Sequence, residues 1–401
     1  MRPAPAIVVA LPPALAPALV HWYRGHRRAL PWRADRDPYR VWVAEVLLQQ
    51  TRVAQAVPYF ERFVSSFPTV DALARASLSR VLKAWQGAGY YARAHRLHAT
   101  ARLIAKERGG RFPSTVDELE SLPGVGPYIA RAIASIAFGR PCVALEANGI
   151  RVAARWTREE GDVRDPAVRA RLENALASIV PNRNPGTFNE AVMELGETVC
   201  VPTRPNCPAC PVAFACRALR ELDDPGRIPV SSGRKRRPTV RAAIVVLTGP
   251  GDRWLVQRRA ASGLLPGLWE FPGGRIERHE LPEAAARREL REETGLEVGD
   301  LVPLGVVRHA YSHFVVELHA FAGRYRGRPG TGSRAGRRWV TPSELARLPV
   351  PKATEKVVAL ARIREDTACR GSGSRRGRRR ASPPRGARPR SRRAPRRGTR
   401  A

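Results

Sequence analysis

The chain has 401 residues, 43% of them hydrophobic, and its 70 Lys and Arg against 36 Asp and Glu leave a net charge of +34. That length and apolar content suit two or three domains with cores of their own, and six cysteines spread over the whole chain exclude a small disulfide-stapled scaffold. So basic a balance points to a polyanionic partner, most simply nucleic acid, whose phosphates attract Lys and Arg and release counterions on binding.

Ala4 to Val20 is apolar, but Pro5, Pro12, Pro13 and Pro17 interrupt it and only Arg2 precedes it as a basic residue, so it reads as a lead-in to the first helix rather than an export signal. Nowhere do about 18 apolar residues run uninterrupted, and no membrane span is expected. Apolar residues then recur at helical spacing in Val41 to Gln50, Val57 to Phe63, Leu78 to Gly87, Ala92 to Lys106, Val116 to Leu122, Tyr128 to Phe138 and Pro166 to Ile179. Residues 1–218 are therefore expected to form an all-helical domain. Residues 219–237 turn polar and rich in Pro, Gly and Arg, which marks a linker. Over residues 238–365 the pattern alternates in Val240 to Leu247 and Trp254 to Arg258, passes through one amphipathic helix, and becomes extended again in Val306 to Phe321, so an α+β domain is expected. Residues 366–401 read as a disordered basic tail, with fourteen arginines and no acids from Arg370 to Ala401.

Three features of the helical part carry chemistry. Ser114, with Asp117 three residues on, is expected to cap a short helix, Leu122-Pro123-Gly124-Val125-Gly126 to make a tight turn, and Pro127 to open a second helix. Gly124 and Gly126 flank Val125 and free the turn's amides to face outward beside a helix N-terminus, where a phosphate oxygen binds. A carboxylate follows downstream in Leu145-Glu146-Ala147-Asn148. Cys200, Cys207, Cys210 and Cys216 then stand with six, two and five residues between them. Four thiolates so close can ligate a [4Fe–4S] cluster or one Zn²⁺; a single Cys-x2-Cys pair suits the cluster better, because zinc sites usually use two such knuckles. A thiolate-held cluster needs a reducing compartment, which makes the cytoplasm the expected location.

Hairpin, carboxylate and cysteine spacing together resemble the endonuclease III superfamily of helix–hairpin–helix DNA glycosylases, and within it the MutY-type adenine DNA glycosylases. Further matching stretches are Leu30-Pro31-Trp32-Arg33, Val43 to Thr51, Gly89-Tyr90-Tyr91-Ala92-Arg93 and Phe188-Asn189-Glu190. The resemblance implies two all-helical subdomains with a substrate cleft between them and a structural [4Fe–4S] cluster on the four cysteines. It also implies a monomer acting on double-stranded DNA that carries adenine opposite 8-oxoguanine or guanine.

To break the N-glycosidic bond to adenine, an enzyme must extrude the nucleotide, protonate the base so that it leaves, and stabilise a cationic sugar. Two carboxyl groups suffice, as in glycoside hydrolysis. Glu45 lies in the apolar run Val41 to Leu48, where burial raises a carboxyl pKa and keeps the acid protonated. The resemblance makes it the general acid at adenine N7. Tyr128 occupies the position where lyase-type relatives carry a nucleophilic lysine, so no Schiff base forms and a monofunctional glycosylase is implied. Likewise by resemblance, Tyr128 and Asn148 support the charged intermediate, Arg33 and Glu190 meet the adenine, Gln50 enters the space it vacates, and Tyr90 wedges the opposite strand. One position departs from the family pattern: Glu146-Ala147-Asn148-Gly149 stands where Asp-Gly-Asn-Val is usual. The charge that stabilises a cation is kept, but an extra methylene moves the carboxylate by roughly 1 to 1.5 Å unless the backbone compensates, and a displacement of about 1 Å can cost on the order of 100-fold in rate. Two outcomes are open: a glycosylase whose second carboxylate is Glu146, or a slowed, lesion-binding protein.

From Gly274 the chain reads Gly-x5-Glu280-x7-Arg288-Glu289-Leu290-Arg291-Glu292-Glu293-Thr294-Gly295-Leu296, the pattern of the Nudix box. Glu289, Glu292 and Glu293 fall on one helix face, a grouping that suits Mg²⁺ bridging pyrophosphate oxygens. The resembled family ends in a Nudix-like domain that reads 8-oxoguanine and has usually lost these metal residues; here they are kept. Tyr311-Ser312-His313 is similar to that family's Phe-Ser-His loop, implying that Ser312, with His313 beside it, tells 8-oxoguanine from guanine. Lesion recognition and nucleotide pyrophosphate hydrolysis are both open for this half.

Overall fold

The computed structural model describes residues 10–230, 237–260, 263–311, 313–327 and 336–373, with side chains through Ile363. Its first part is helical: α1 (Leu15–His26), α2 (Pro38–Leu48), α3 (Val53–Ser66), α4 (Val70–Arg75), α5 (Leu78–Ala84), α6 (Ala92–Arg108), α7 (Val116–Glu120), α8 (Pro127–Phe138), α9 (Ala147–Thr157), α10 (Pro166–Ala177), α11 (Pro185–Thr198) and α12 (Arg217–Glu221). The starts are set by side chains: Asp37, Thr69, Ser77, Thr115 and Asp165 each accept a hydrogen bond from an amide of the turn they open. The cap of α7 is thus Thr115 rather than Ser114. Thr115 Oγ1 accepts from Glu118 N at 3.4 Å and donates to Glu118 Oε2 at 2.8 Å, a Thr-x-x-Glu pairing one residue later than expected. Ser114 instead receives the Arg140 guanidinium, on Oγ at 3.2 Å and on its carbonyl at 3.3 Å.

In the hairpin, Val125 N donates to Leu122 O at 3.1 Å, and Gly126 then caps α8, with Pro127 as its first residue. Gly124 has φ +79°, and a Cβ there would lie 2.8 Å from the Arg96 side chain, so the close approach of α6 requires glycine. Two cores fill the helical part. Trp42, Phe60, Phe63, Trp85 and Ile133 belong to one, built on α2 to α8. Leu15, Leu19, Trp156, Phe188 and Leu195 belong to the other, built on α1 and α9 to α12.

The second part comprises β1 (Thr239–Thr248), β2 (Trp254–Arg258), β3 (Trp269–Glu270), β4 (Gly273–Arg275), α13 (Pro282–Thr294), β5 (Val302–Ala310), β6 (Val315–Arg324), β7 (Arg337–Val340), α14 (Pro342–Ala346) and α15 (Lys352–Gly373). The strands form one sheet in the order β3-β2-β1-β6-β5, with β4 on β1 and β7 on β2. β1 and β6 run parallel from Thr239↔Val315 to Thr248↔Arg324. Alternation along β1 sends Ala243, Val245 and Leu247 to the α13 face, with Leu290, and Ile244 and Val246 to the α15 face, with Val357. Val306 to Phe321 is therefore not one extended run but the hairpin β5–β6, closed by Tyr311 N donating to Phe314 O at 2.8 Å. Ser312 lies outside the described residues, as do 231–236 of the expected linker. Helix α15 continues to Gly373, past the expected start of the tail at 366, and residues 374–401 lie outside the described residues.

The two parts meet along α5 and α6. Lys83 Nζ donates to the carbonyls of Ala346 at 2.7 Å and Leu348 at 3.2 Å, satisfying the C-terminal end of α14. Gln86 donates to Glu355, His95 Nε2 meets Pro266 O at 3.0 Å, and Leu268 is buried in the first helical core. Among the described residues no helix is long and apolar enough to cross a membrane.

Candidate active site

A cavity of about 690 Å³ opens between the two helical cores, and Arg33, Glu45, Gln50, Tyr90, Tyr128, Glu146, Asn148 and Glu190 all line it. The chain thus brings together residues 157 positions apart, from Arg33 to Glu190, through α2, α8, α9 and α11 and the turns beside them. Gly124, Val125 and Gly126 are not in its lining.

Glu45 is 6% exposed within α2, and Tyr128 Oη donates to its Oε2 at 2.5 Å. Burial pushes the Glu45 carboxyl up to about 7; the Tyr128 hydrogen bond opposes this, and the charges of Glu146 and Glu190 reinforce it. Burial also holds the Tyr128 phenol well above its ordinary range, with Glu45 adding to the effect, so the hydroxyl stays a neutral donor.

Glu146 is the N-cap of α9. Its Oε2 accepts from Asn148 N at 2.7 Å and its Oε1 from Gly149 N at 2.9 Å, so the longer side chain folds back and grips the helix start with both oxygens. Burial raises its pKa, and the two amides pull in the other direction without cancelling that rise. Asn148 Oδ1 accepts from Arg151 Nη2 at 2.6 Å, and its amide donates to Glu197 at 3.5 Å.

At the far wall, Glu194 is fully buried between two guanidinium groups. Arg28 donates to it through Nε at 2.8 Å, Nη2 at 3.0 Å and its backbone N at 3.0 Å, and Arg33 Nη2 lies 3.0 Å away. Burial works against ionisation of Glu194, but these donors overcome it and lower its pKa. Glu190, one turn earlier on α11, is only 3.6 Å from Arg33 Nε, and burial raises its carboxyl. Arg28 and Glu194 were not singled out from the sequence, although Glu194 follows Glu190 at the i+4 spacing that shares a helix face. Gln50 and Tyr90 stand at the mouth with left-handed backbones, φ 63° and 48°, and Tyr90 Oη lies 3.4 Å from Gln50 Oε1.

Away from the cavity, Cys200, Cys207, Cys210 and Cys216 are unbridged and line one pocket together with Arg155, whose Nη1 donates to Cys200 Sγ at 3.2 Å. Among the described residues, no three His, Cys, Asp or Glu side chains converge as a site for a single metal ion. On α13, the three glutamates expected to hold Mg²⁺ each have partners within the chain. Glu293 Oε2 accepts from Gly273 N at 2.8 Å and Gln257 Nε2 at 2.7 Å, and Arg288 Nη1 takes up Glu289 at 3.0 Å and Glu292 at 3.2 Å. The box's own arginine also pairs with Glu280 at 2.9 Å, so its guanidinium sits among Glu280, Glu289 and Glu292. His313 is exposed in the β5–β6 turn.

A family model of HhH-GPD superfamily base excision DNA repair proteins matches residues 43–178, and a NUDIX domain model matches residues 242–360. The chain is 35% identical to the adenine DNA glycosylase of Homo sapiens over 410 aligned positions, covering 88% of this chain and 75% of that protein. It is also 35% identical to the adenine DNA glycosylase of Mus musculus, covering 84% of this chain and 76% of that one. Among solved structures, a thermostable thymine-DNA glycosylase aligns with a TM-score of 0.48 at 26% identity over 52% of this chain and 96% of its own. With its helical glycosylase part followed by a Nudix domain, the chain belongs to the adenine DNA glycosylases, DNA N-glycosylases of base excision repair.

Proposed function

We propose that the protein removes adenine mispaired with 8-oxoguanine or guanine by acid-assisted hydrolysis, with Glu45 and Glu146 as the two working carboxyl groups. The reading is carried by one observation: a buried carboxyl at about 7, hydrogen-bonded to a neutral tyrosine, faces the same cavity as a second carboxylate held by two amides. A carboxyl that is still half protonated near neutrality can give its proton to the base as it departs. The capped Glu146 carries charge toward the sugar, the Tyr128 hydroxyl and the Asn148 backbone N–H orient the two acids, and Tyr128 and Asn148 support the charged intermediate. Tyr128 offers no amine, so attack falls to water and an abasic site is left. Arg33 and Glu190 form the wall against which adenine is read. Gln50 and Tyr90 hold the strands apart.

The two-oxygen grip on the α9 amides favours an active Glu146 over a lesion-binding relic, because it fixes the longer side chain at the helix start where aspartate would otherwise cap. The four free thiols in one pocket fit a thiolate-held [4Fe–4S] group on Cys200, Cys207, Cys210 and Cys216, which when bound stabilises the fold of residues 199–219 rather than supplying reacting atoms; a reducing, cytoplasmic setting goes with it. For the C-terminal part, residues 238–365, lesion reading is favoured over nucleotide hydrolysis, because the Nudix carboxylates are engaged by Arg288, Gly273 and Gln257. Single-turnover assays on A:8-oxoguanine, A:G and C:8-oxoguanine duplexes test the whole reading. Adenine release from the first two and no release from the third is expected; cytosine release, or no release from any, overturns it.

A further inference from the structure

Arg93 is 9% exposed, and its guanidinium joins two separate pieces of chain. Its Nη1 donates to the carbonyls of Val46 at 2.6 Å, Leu47 at 3.1 Å and Gln49, at the C-terminal end of α2. Its Nη2 donates to Ala88 O at 3.0 Å and Gly89 O at 3.3 Å, in the turn that leads to Tyr90. The same group lies 5.5 Å from the Trp85 ring and 5.2 Å from the Tyr90 ring. Every one of these hydrogen bonds goes to a backbone carbonyl, so the cation is spent on geometry. The next residue after each clamped segment, Gln50 after Gln49 and Tyr90 after Gly89, has a left-handed backbone, φ 63° and 48°. Non-glycine residues hold that conformation only where their surroundings over-determine it.

We propose that Arg93 is the positioning residue of the strand-opening wedge: it ties the Gln50 and Tyr90 turns into one rigid unit before DNA arrives, so that extruding the adenine requires no reordering of the protein. The proposal rests on the reading of Gln50 and Tyr90 as that wedge. Lysine keeps the charge, but one ammonium on a flexible stem cannot reproduce a planar fork that spans both segments. Gly89→Ala perturbs the same unit differently: the added Cβ meets nothing within 4 Å, but φ +73° disfavours any side chain, so the turn shifts without a packing clash.

The test is single-turnover excision by the full chain from two substrates, adenine mispaired in a duplex and the same adenine unpaired in a bubble. Taking the ratio of the two rates within one preparation cancels any loss of folded enzyme. For Arg93→Lys the duplex rate is expected to fall on the order of 100-fold while the bubble rate falls less than about threefold, and Gly89→Ala shifts the ratio in the same direction. A 2-aminopurine placed at the adenine brightens on binding of the parent and stays dark with Arg93→Lys. Equal losses on both substrates overturn the positioning role. Gln50→Ala run alongside separates the two ideas: an unchanged ratio there sinks the wedge itself, whereas a changed ratio there with an unchanged one for Arg93→Lys sinks only the clamp.

Discussion

Glu45 and Glu292 are both helical glutamates singled out for their family patterns, and their surroundings differ in kind. Glu45 is 6% exposed, its Oε2 receives the Tyr128 hydroxyl, and no cation pairs with it closely enough to hold it ionised. The Glu292 side chain is 59% exposed and sits 3.2 Å from Arg288, which also holds Glu280 and Glu289. Burial without a close cation raises a carboxyl toward neutrality, where it can hold and give up a proton, whereas an exposed carboxylate beside an arginine is engaged as half of an ion pair. On the proposed function, the contrast separates a working acid from a surface carboxylate within a single chain.

The contrast is most directly broken by replacing the acid. Glu45→Gln should slow adenine excision on the order of 1,000-fold with duplex binding retained; a variant within tenfold of the parent would deny Glu45 the acid role. Glu146→Gln keeps one acceptor oxygen but removes the charge, and a loss of about 100-fold is expected in the same assay. Glu146→Asp, which can still cap α9, should stay within about tenfold of the parent. Stability gives a reading free of catalysis. The Glu45 pKa rises on folding from 4.5 to about 7, so its contribution is fully present below pH 4.5 and is lost as pH rises through 7. Glu45→Gln should therefore match the parent at pH 4.5 and exceed it at pH 9 by up to about 3 kcal/mol in denaturant unfolding. A smaller effect is expected on the rate, which should fall about tenfold per pH unit above 7 as the proton is lost. Glu292→Gln should change excision and opposite-base preference by less than about twofold, and measurable Mg²⁺-dependent pyrophosphate release that this change abolishes would reverse the assignment of the C-terminal part.

Much of this was legible in the chain because local rules wrote it. Pro127 behind Gly124-Val125-Gly126, Pro282 ahead of the Nudix helix and the period-2 run of β1 each announce their element through backbone chemistry that no tertiary contact overrides. Thr115 displaced Ser114 as a cap because two adjacent hydroxyls compete, and the winner depends on which can reach Glu118 and which is taken by Arg140, a residue on the far side of the hairpin. The roles of Glu194 and Arg93 could not be read at all: a buried ion pair and a carbonyl clamp exist only after α11 meets the segment at Arg28 and α6 meets the end of α2. The pairing of the Nudix carboxylates with Arg288 is hidden for the same reason, since Arg288 and Glu292 satisfy the pattern whether they face a cation or each other.

Helix α6 carries more than its own packing. Its first turn follows Tyr90 and holds Arg93, while His95, half a turn on, meets Pro266 of the C-terminal part, and Lys83 on α5 closes the end of α14. On the proposed function, the part that pries the strands apart and the part that reads the opposite base are thus joined through the adjacent helices α5 and α6. On that reading, a substitution at Lys83 or His95 removes a contact between the two parts without touching the cavity, and is expected to change opposite-base preference more than adenine excision.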